Sequence, residues 1–272
     1  MRLVLAAPLH TPLGFAWAPP RARRPLCVRD DLDEGLTPPG FDRSAFTFGT
    51  VEPHDLPAVI DVLMDGFYKD ILTLAKDEFS EEEMEKLRPA LSVFNDGFMK
   101  LTRAFLSFET TRRLLPRLPQ GGLQRGSQKD ALMLALQEKQ SGSIVAVAEL
   151  SQQPCDGKVP GDLRLPMLPW ARDQQAPLVA YICNLAVLKQ YRGKGLGTSL
   201  LRALEGVASR RWGFNEVYLH AATKEDRLLG MYEKQGYSQL PELDQPGWVL
   251  AFSGREATRF HRKPLPPTSS AK

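Results

Sequence analysis

The chain has 272 residues, of which 43% are hydrophobic and 25% are charged, and its formal net charge is +3. This composition is ordinary for a globular protein of one large domain or two small ones. No apolar run approaches the ~20 residues that a membrane-spanning helix needs. The sequence therefore predicts a globular protein without a membrane span.

The positive charge is concentrated at the start of the chain. Residues 1–29 contain five arginines and no acidic residue, so the remainder of the chain has a slightly negative net charge. The remainder therefore lacks the excess of positive charge that is typical of nucleic-acid-binding proteins. An arginine-bearing, acid-free segment rich in Ala and Pro is typical of an organelle transit peptide, although this one lacks serine. We expect a disordered transit peptide over residues 1–40, addressed to the plastid, with the mitochondrion as the alternative. A secretory signal and a plain disordered tail are the rival interpretations.

A strand, a helix and a long helical insert are predicted next. Residues 46–51 alternate in hydrophobicity and indicate the strand, and a helix then extends to about Tyr68. Residues 71–115 follow a helical pattern in which Pro89 is expected to break the helix. The Pro-, Gly- and Arg-rich loop that follows extends the insert to about residue 128.

Two strands and a second long loop come before the centre of the chain. Residues 131–138 and 142–149 have the composition of strands and are joined by a short turn. Residues 153–175 contain four prolines and two glycines and predict a loop.

The stretch from residue 178 to residue 213 combines a strand, a glycine loop and a helix. Its apolar first part is rich in β-branched and aromatic residues. Its last part has apolar residues at helical spacing, with Glu205 and Ser209 on the polar side. The glycines between them are Gly193, Gly195 and Gly197. Where a loop of this kind enters a helix, unpaired backbone N–H groups and the positive end of the helix dipole converge, and such a spot binds phosphate.

The spacing of the glycines excludes two common nucleotide motifs. A Walker loop requires G-x-x-x-x-G-K-[ST], but Gly197 is followed by Thr198 and Ser199 with no lysine. A dinucleotide loop requires G-x-G-x-x-G, and the third glycine is missing here. The loop therefore predicts a phosphate compound of another kind.

The end of the chain predicts two more elements of the same sheet. Residues 215–222 indicate a strand, and a helix follows up to Gly236. Residues 237–252 predict a last strand or pair of strands. The Pro- and Ser-bearing tail, residues 263–272, is expected to be disordered.

The segment Arg192-x-x-Gly195-x-Gly197 resembles the R/Q-x-x-G-x-G/A signature of the GNAT-type N-acetyltransferases, including the organellar (plastid) GNAT proteins of plants and algae. The preceding N-L-A-V strand and the later segment LGMYEKQGY are similar to the family as well. The resemblance implies an α/β fold over residues 41–262. In this fold a mixed, mostly antiparallel β-sheet is flanked by helices and splayed open where the cofactor enters.

The resemblance also implies that acetyl-CoA is the co-substrate and that no metal takes part. In the family, backbone N–H groups of the glycine loop hold the pyrophosphate, and the preceding strand contacts the pantetheine arm. The residues that the resemblance assigns to cofactor binding are Leu185, Ala186, Val187, Arg192, Gly193, Lys194, Gly195, Leu196, Gly197, Thr198 and Tyr232.

Three catalytic residues follow from the resemblance. Tyr232 matches the tyrosine that protonates the departing CoA sulfur in many GNAT enzymes, although a core tyrosine is the alternative interpretation. Tyr181 and His220 resemble a pair that works through an ordered water in one branch of eukaryotic N-terminal acetyltransferases. A histidine with an ordinary pKa near 6.5 can accept a proton at neutral pH. Glu149, at the end of a predicted strand, is the alternative base.

The predicted function is transfer of acetyl from acetyl-CoA to protein N-terminal α-amines, to lysine ε-amines, or to both, by direct attack of the amine on the thioester. The partners expected are acetyl-CoA and a protein or peptide amine, with no nucleic acid. The alternatives are a small-molecule (polyamine-type) amine acetyltransferase and a non-catalytic regulator that binds acyl-CoA. The sequence gives no prediction of the oligomeric state.

Overall fold

The computed structural model describes residues 41–68, 79–114, 131–156, 176–222, 226–244 and 258–266. The predicted transit peptide lies outside these residues, as do most of the two long predicted loops. The helices are α1 (Leu56–Phe67), α2 (Glu81–Leu114), α3 (Leu196–Arg210) and α4 (Asp226–Lys234). The strands are β1 (Phe46–Thr50), β2 (Ala131–Glu138), β3 (Ile144–Pro154), β4 (Leu178–Val187), β5 (Glu216–Ala222), β6 (Ser238–Gln239) and β7 (Thr258–Pro264).

The described strands form one seven-stranded sheet in the order β1-β2-β3-β4-β5-β7-β6. Strands β4 and β5 pair in parallel, and every other pair in this sheet is antiparallel. The predicted α/β class, with a mixed and mostly antiparallel sheet, is confirmed.

The sheet opens between its two parallel strands. Pairing of β4 with β5 begins at Ala180 and ends at Ile182, although β4 continues to Val187. Just after this point the register between β3 and β4 shifts, and Asn184 adopts a positive φ of 54°. Asparagine tolerates this backbone conformation better than most residues do. A bulge of this kind bends a strand, and β4 has no described partner on its β5 side beyond the bulge.

Helices cover both faces of the sheet. Helix α1 packs on one face against a set that includes Met133, Val147 and Ala186. At Gly66 of α1 an added β-carbon would lie 2.8 Å from the Ala186 β-carbon, so the contact requires glycine. Helix α3 packs on the opposite face through fully buried side chains. These side chains are Leu200, Leu201, Leu204, Val207 and Ala208, the apolar positions that the helical spacing predicts.

Helix α2 is continuous, which contradicts the predicted break at Pro89. The residues around Pro89 are exposed, so water can satisfy the backbone carbonyl that the proline leaves without a hydrogen bond. The helix begins at Glu81 because Ser80 and Glu83 form a capping box, in which the Ser80 N–H donates to Glu83 Oε2 at 3.0 Å. The first part of the predicted helical pattern, residues 71–78, lies outside the described residues.

The last strand lies later in the chain than predicted. It includes Lys263, which the sequence assigned to a disordered tail, and the Leu265 N–H donates to the Asn215 carbonyl at 2.7 Å. The strand was missed because TRFHRKP is highly charged. One of these charges is neutralised inside the fold, where Lys263 Nζ donates to Glu205 Oε2 at 2.6 Å. The sheet therefore includes Lys263 and Pro264, and the Pro266 carbonyl accepts a hydrogen bond from Ser209 of α3.

None of the described helices combines the length and the apolar character needed to cross a membrane.

Candidate active site

The glycine loop leaves main-chain donors open at the start of α3. Gly193 and Gly195 have φ angles of 79° and 77°, which side chains with a β-carbon rarely adopt. The first hydrogen bond of the helix runs from the Ser199 N–H to the Gly195 carbonyl, at 3.0 Å. The N–H groups of residues 196–198 precede this bond, and no described side chain caps the helix. Three donors and the positive end of the helix dipole therefore converge at one place.

Arg192 holds the loop in position through its side chain. Its guanidinium donates to the carbonyls of Val187, at 2.9 Å, and Asp65, at 3.2 Å. The Asp65 carboxylate lies 3.6 Å from the same guanidinium and accepts a hydrogen bond from the Lys189 N–H at 2.8 Å. The loop is thus tied to the end of α1 and to the end of β4.

The side chains of Lys194 and Ala186 both contact other parts of the protein. Lys194 Nζ lies 5.0 Å from the centroid of the Tyr191 ring, in a cation–π contact. The side chain of Ala186 is buried against α1, so this residue can offer a ligand only its backbone. Leu185, Ala186 and Val187 all follow the last β4–β5 pair, on the part of β4 that lines the opening.

Tyr181 and His220 form a hydrogen-bonded pair. The parallel register sets Tyr181 opposite Tyr218, so His220, two residues further along β5, lies on the same face. Tyr181 Oη is 2.6 Å from His220 Nδ1, and Phe260 packs against both rings. Burial raises the pKa of the Tyr181 phenol well above its ordinary value of 10.0. The phenol therefore keeps its proton at neutral pH.

Glu149 lies on the same face as this pair. It is fully buried, stands opposite Cys183 in the β3–β4 register and accepts a hydrogen bond from Asn184 Nδ2 at 2.8 Å. Asn184, whose backbone forms the bulge in β4, thus also holds the Glu149 carboxylate in place. The structure brings together Glu149, Tyr181 and His220, which are 32 and 39 residues apart along the chain.

Tyr232 lies on the other side of the sheet. It projects from α4 into the cluster that α3 forms with the sheet, and its ring centroid is 5.6 Å from that of Tyr237. Burial raises the pKa of the Tyr232 phenol above its ordinary value, so this group holds its proton throughout the neutral and mildly alkaline range. The opening between β4 and β5 connects the face that carries Tyr181 and His220 with the face that carries Tyr232.

Two buried polar groups, one near Tyr232 and one bonded to Tyr237, were not predicted. His261 on β7 is fully buried, with Nδ1 at 3.0 Å from the Arg259 carbonyl, and its Nε2 has no hydrogen-bond partner among the described residues. Glu205 accepts hydrogen bonds from Tyr237 Oη at 2.9 Å and from Lys263. Helical spacing assigned Glu205 and Ser209 to the polar side of α3, but both are buried because β7 and the segment after it cover that side. The burial of Glu205 and Ser209 could be predicted only from the position of this final strand against α3.

Known proteins resemble this chain in the region that carries the site. The model of the acetyltransferase (GNAT) family matches residues 98–237, just over half of the chain. An N-alpha-acetyltransferase of Sulfurisphaera tokodaii is 30% identical over 93 residues, which is 32% of this chain and 55% of that protein. GCN5-related N-acetyltransferase 5, chloroplastic, of Arabidopsis thaliana is 39% identical over 57 residues, or 21% of this chain and 18% of that protein.

The matched region spans about half, or less, of the length of these curated relatives. Among solved structures, the PaiA N-acetyltransferase of Thermoplasma acidophilum in complex with coenzyme A covers 81% of this chain and 99% of its own. Its TM-score is 0.46 and its sequence identity 16%. On the extent of the family match, the chain belongs to the GNAT acetyltransferase family.

Proposed function

We propose that the chain transfers the acetyl group of acetyl-CoA to amines of proteins or peptides, with N-terminal α-amines as the principal substrates and lysine ε-amines as the second class. The observation that carries this proposal is the glycine loop, in which three open N–H groups stand beside a splayed strand. The α-amine preference is supported by two relatives, at 30% identity, that are named as N-alpha-acetyltransferases.

The loop fits the pyrophosphate of coenzyme A. A β-carbon added at Gly193 or Gly195 would meet no atom within 4 Å, so the space above the loop is open while its backbone is fixed. The N–H groups of residues 196–198 would bind the negatively charged oxygens. Backbone groups of residues 185–187, which no described strand pairs on the β5 side, would bind the pantetheine arm.

Acetyl-CoA supplies the acetyl group as a thioester, which a neutral amine can attack directly. An α-amine has an ordinary pKa of about 7.7 to 8.0, so a large fraction is already neutral near pH 8, whereas lysine has an ordinary pKa of about 10.4. The Tyr181–His220 pair assists by removing the proton from the amine. With its hydrogen on Nδ1, His220 donates to Tyr181 Oη and can accept a proton at Nε2, directly or through a water.

Tyr232 acts at the other end of the reaction. Its phenol gives its proton to the departing sulfur, so that coenzyme A leaves as a thiol and no thiolate accumulates. Because burial raises the pKa of this phenol above its ordinary value, the proton is present at neutral and mildly alkaline pH, where α-amines become neutral. Water that enters with the next substrate restores the proton.

Incubation with acetyl-CoA tests the substrate class. We would offer peptides that carry either a free α-amine or a single lysine behind a blocked N-terminus, and separate panels of polyamines. Mass spectrometry would identify the acetylated nitrogen. Acetylation of the α-amine peptides first is the expected result. Acetylation of polyamines alone would replace the protein substrate with a small molecule, and coenzyme A binding without any acetylation would indicate a regulator.

We propose the plastid as the location of the protein. Two relatives from Arabidopsis thaliana carry the word chloroplastic in their names, and the first 29 residues have the arginine-bearing, acid-free composition of a transit peptide. A fluorescent protein fused after residue 40 tests the proposal. Import into plastids is expected, and import into mitochondria, or none, would contradict it.

A further inference from the structure

One face of α2 exposes a continuous apolar stripe. Its members alternate in steps of three and four residues over three heptads, and we call them the α2 seam. They are Leu87, Leu91, Phe94, Phe98, Leu101, Phe105 and Phe108. Six of the seven are more than a third exposed, with Leu101 at 71% and Phe94 at 64%. A folded chain rarely leaves so many large apolar side chains together in water.

The seam is not the surface that attaches α2 to the rest of the molecule. Another stripe of the same helix does so, through Met99 and Leu106, which pack against the α1 cluster. Thr110 is buried along this stripe, and Arg103 pairs with Asp61 of α1. The helix therefore has two apolar stripes, and among the described residues only one of them packs against the rest of the fold.

Alternating steps of three and four residues are the pattern by which one helix packs along another. The charge distribution along α2 indicates which helix packs on the seam. Residues 81–96 include five acidic and two basic residues, whereas residues 97–114 include four basic residues and one acidic. Antiparallel pairing with a second copy sets each acidic half beside a basic half, and parallel pairing would set like charges together. The acidic half also disfavours an anionic membrane surface.

Gly97 flanks the centre of the seam, and no described contact of the single chain requires a glycine there. The seam begins at Leu87 and ends at Phe108. Its midpoint falls between Gly97 and Phe98. A β-carbon added at Gly97 would meet nothing within 4 Å, although glycine weakens a helix interior. In an antiparallel pair the two copies meet at this midpoint, where the missing side chain lets the two backbones approach closely.

The exposed area is sufficient for such a pair. An aromatic side chain buries roughly 150–250 Å², so the four phenylalanines, each about half exposed, contribute on the order of 400 Å² per copy. Two copies remove about 800 Å² from these side chains alone, and the leucines and neighbouring charged side chains bring the total towards the ~1,200 Å² of a specific interface. We propose that the chain forms a homodimer in which two α2 helices pack antiparallel along the seam.

The mass of the full chain in solution tests the dimer. Sedimentation equilibrium at micromolar concentrations should give twice the 30.4 kDa mass of one chain. Leu101→Glu should weaken association by at least about 100-fold, because the dimer would bury an unpaired carboxylate from each copy. Val93→Glu is the matched control, since Val93 is 78% exposed and lies off the seam, and it should keep the dimer mass. A wild-type monomer, or a dimer that survives Leu101→Glu, would overturn the proposal.

Crosslinking tests the orientation. In the antiparallel arrangement residue 98 lies beside its own counterpart, whereas residue 108 lies beside residue 87 of the other copy. Oxidation should therefore link Phe98→Cys chains to each other but not Phe108→Cys chains, with the wild-type chain as control for its native cysteines. Equal crosslinking of both variants would show a parallel pair, and crosslinking of neither would show that the seam does not meet itself; either result contradicts the proposed arrangement.

Discussion

The glycine loop and the α2 seam are both open to solvent, but they expose different parts of the chain. In the loop three residues are glycines without side chains, and the backbone N–H groups of residues 196–198 are left for a partner. Along α2 the backbone groups bond within the helix, and large apolar side chains are left instead. Directed donors suit a small anion, whereas a long apolar stripe suits another helix. The two regions therefore predict a ligand and a protein partner, and changes in one should not alter the other.

The largest effect is expected from Tyr232→Phe. The variant loses the proton donor for the departing sulfur, so kcat should fall about 10² to 10⁴-fold, while coenzyme A binding and the dimer mass remain. Thiol release from acetyl-CoA measures the rate. Tyr68→Phe, which removes a phenol hydroxyl from the cluster around α1, is the control. Wild-type turnover in Tyr232→Phe would remove this residue from the mechanism.

Gly195→Ala should have the next largest effect. A β-carbon at a φ of 77° strains the loop by roughly 1–2 kcal/mol and displaces the N–H donors, and a displacement of this kind can cost about 100-fold in kcat/KM. Gly213→Ala is a matched control, because Gly213 has a φ of 76° at the other end of α3. Both variants should lose similar thermal stability. Equal losses of kcat/KM would mean that strain in the fold, and not the loop, determines activity.

Removal of the base should have a smaller effect that depends on pH and on the substrate. His220→Gln and Tyr181→Phe should each lower kcat/KM by about 10 to 100-fold at neutral pH. With α-amine peptides the loss should shrink towards pH 9, because the amine is then neutral without assistance and burial keeps Tyr232 protonated. With lysine peptides the loss should persist. Absence of a loss in both variants would favour Glu149 as the base, and a loss independent of pH for both substrates would mean that the pair has only a structural role.

A smaller effect, on stability alone, is expected from Lys263→Met. The Glu205 carboxylate would lose its cationic partner in a nearly buried site, which should reduce the free energy of unfolding by roughly 1–3 kcal/mol. Urea unfolding measures this change, and Lys100→Met on the exposed side of α2 is the control. Equal stability of the two variants would mean that the last strand is not tied to α3 through this pair.

Ionisation of the tyrosines should have the smallest effect at neutral pH, because it occurs only at high pH. The pKa values of all six are raised above 10, with burial as the largest cause for each. Because the folded-state pKa exceeds the unfolded value, the stabilisation is complete below about pH 10 and is lost as the pH rises through the folded-state pKa. Phenolate absorbance should therefore rise above pH 10 together with loss of the circular dichroism signal. Ionisation of most tyrosines near pH 10 in the folded protein would contradict this.

The sequence predicted the region around the loop well because local rules dominate there. Helical spacing located the buried face of α3, and the glycines marked a backbone conformation that few other residues adopt. Tyr181 and His220 were paired by resemblance to a family, and the parallel register then accounts for their contact. The cofactor and catalytic assignments of these residues remain predictions.

The errors arose where distant segments override local preference. Glu205 is buried because β7 covers it, and a charged final strand gives no periodic signal that predicts this. Pro89 does not end α2, because its surroundings are exposed and water can satisfy the freed backbone carbonyl. The bulge at Asn184, which opens the sheet, depends on the register between β3 and β4 and cannot be predicted from either strand alone.

Calorimetric titration of coenzyme A into the full chain tests the central claim most directly. Saturable binding of one coenzyme A per chain is expected, with binding retained in Gly213→Ala and strongly weakened in Gly195→Ala. Absence of binding to the wild-type chain, or equal affinity in the two glycine variants, would contradict the assignment of the glycine loop as the diphosphate site.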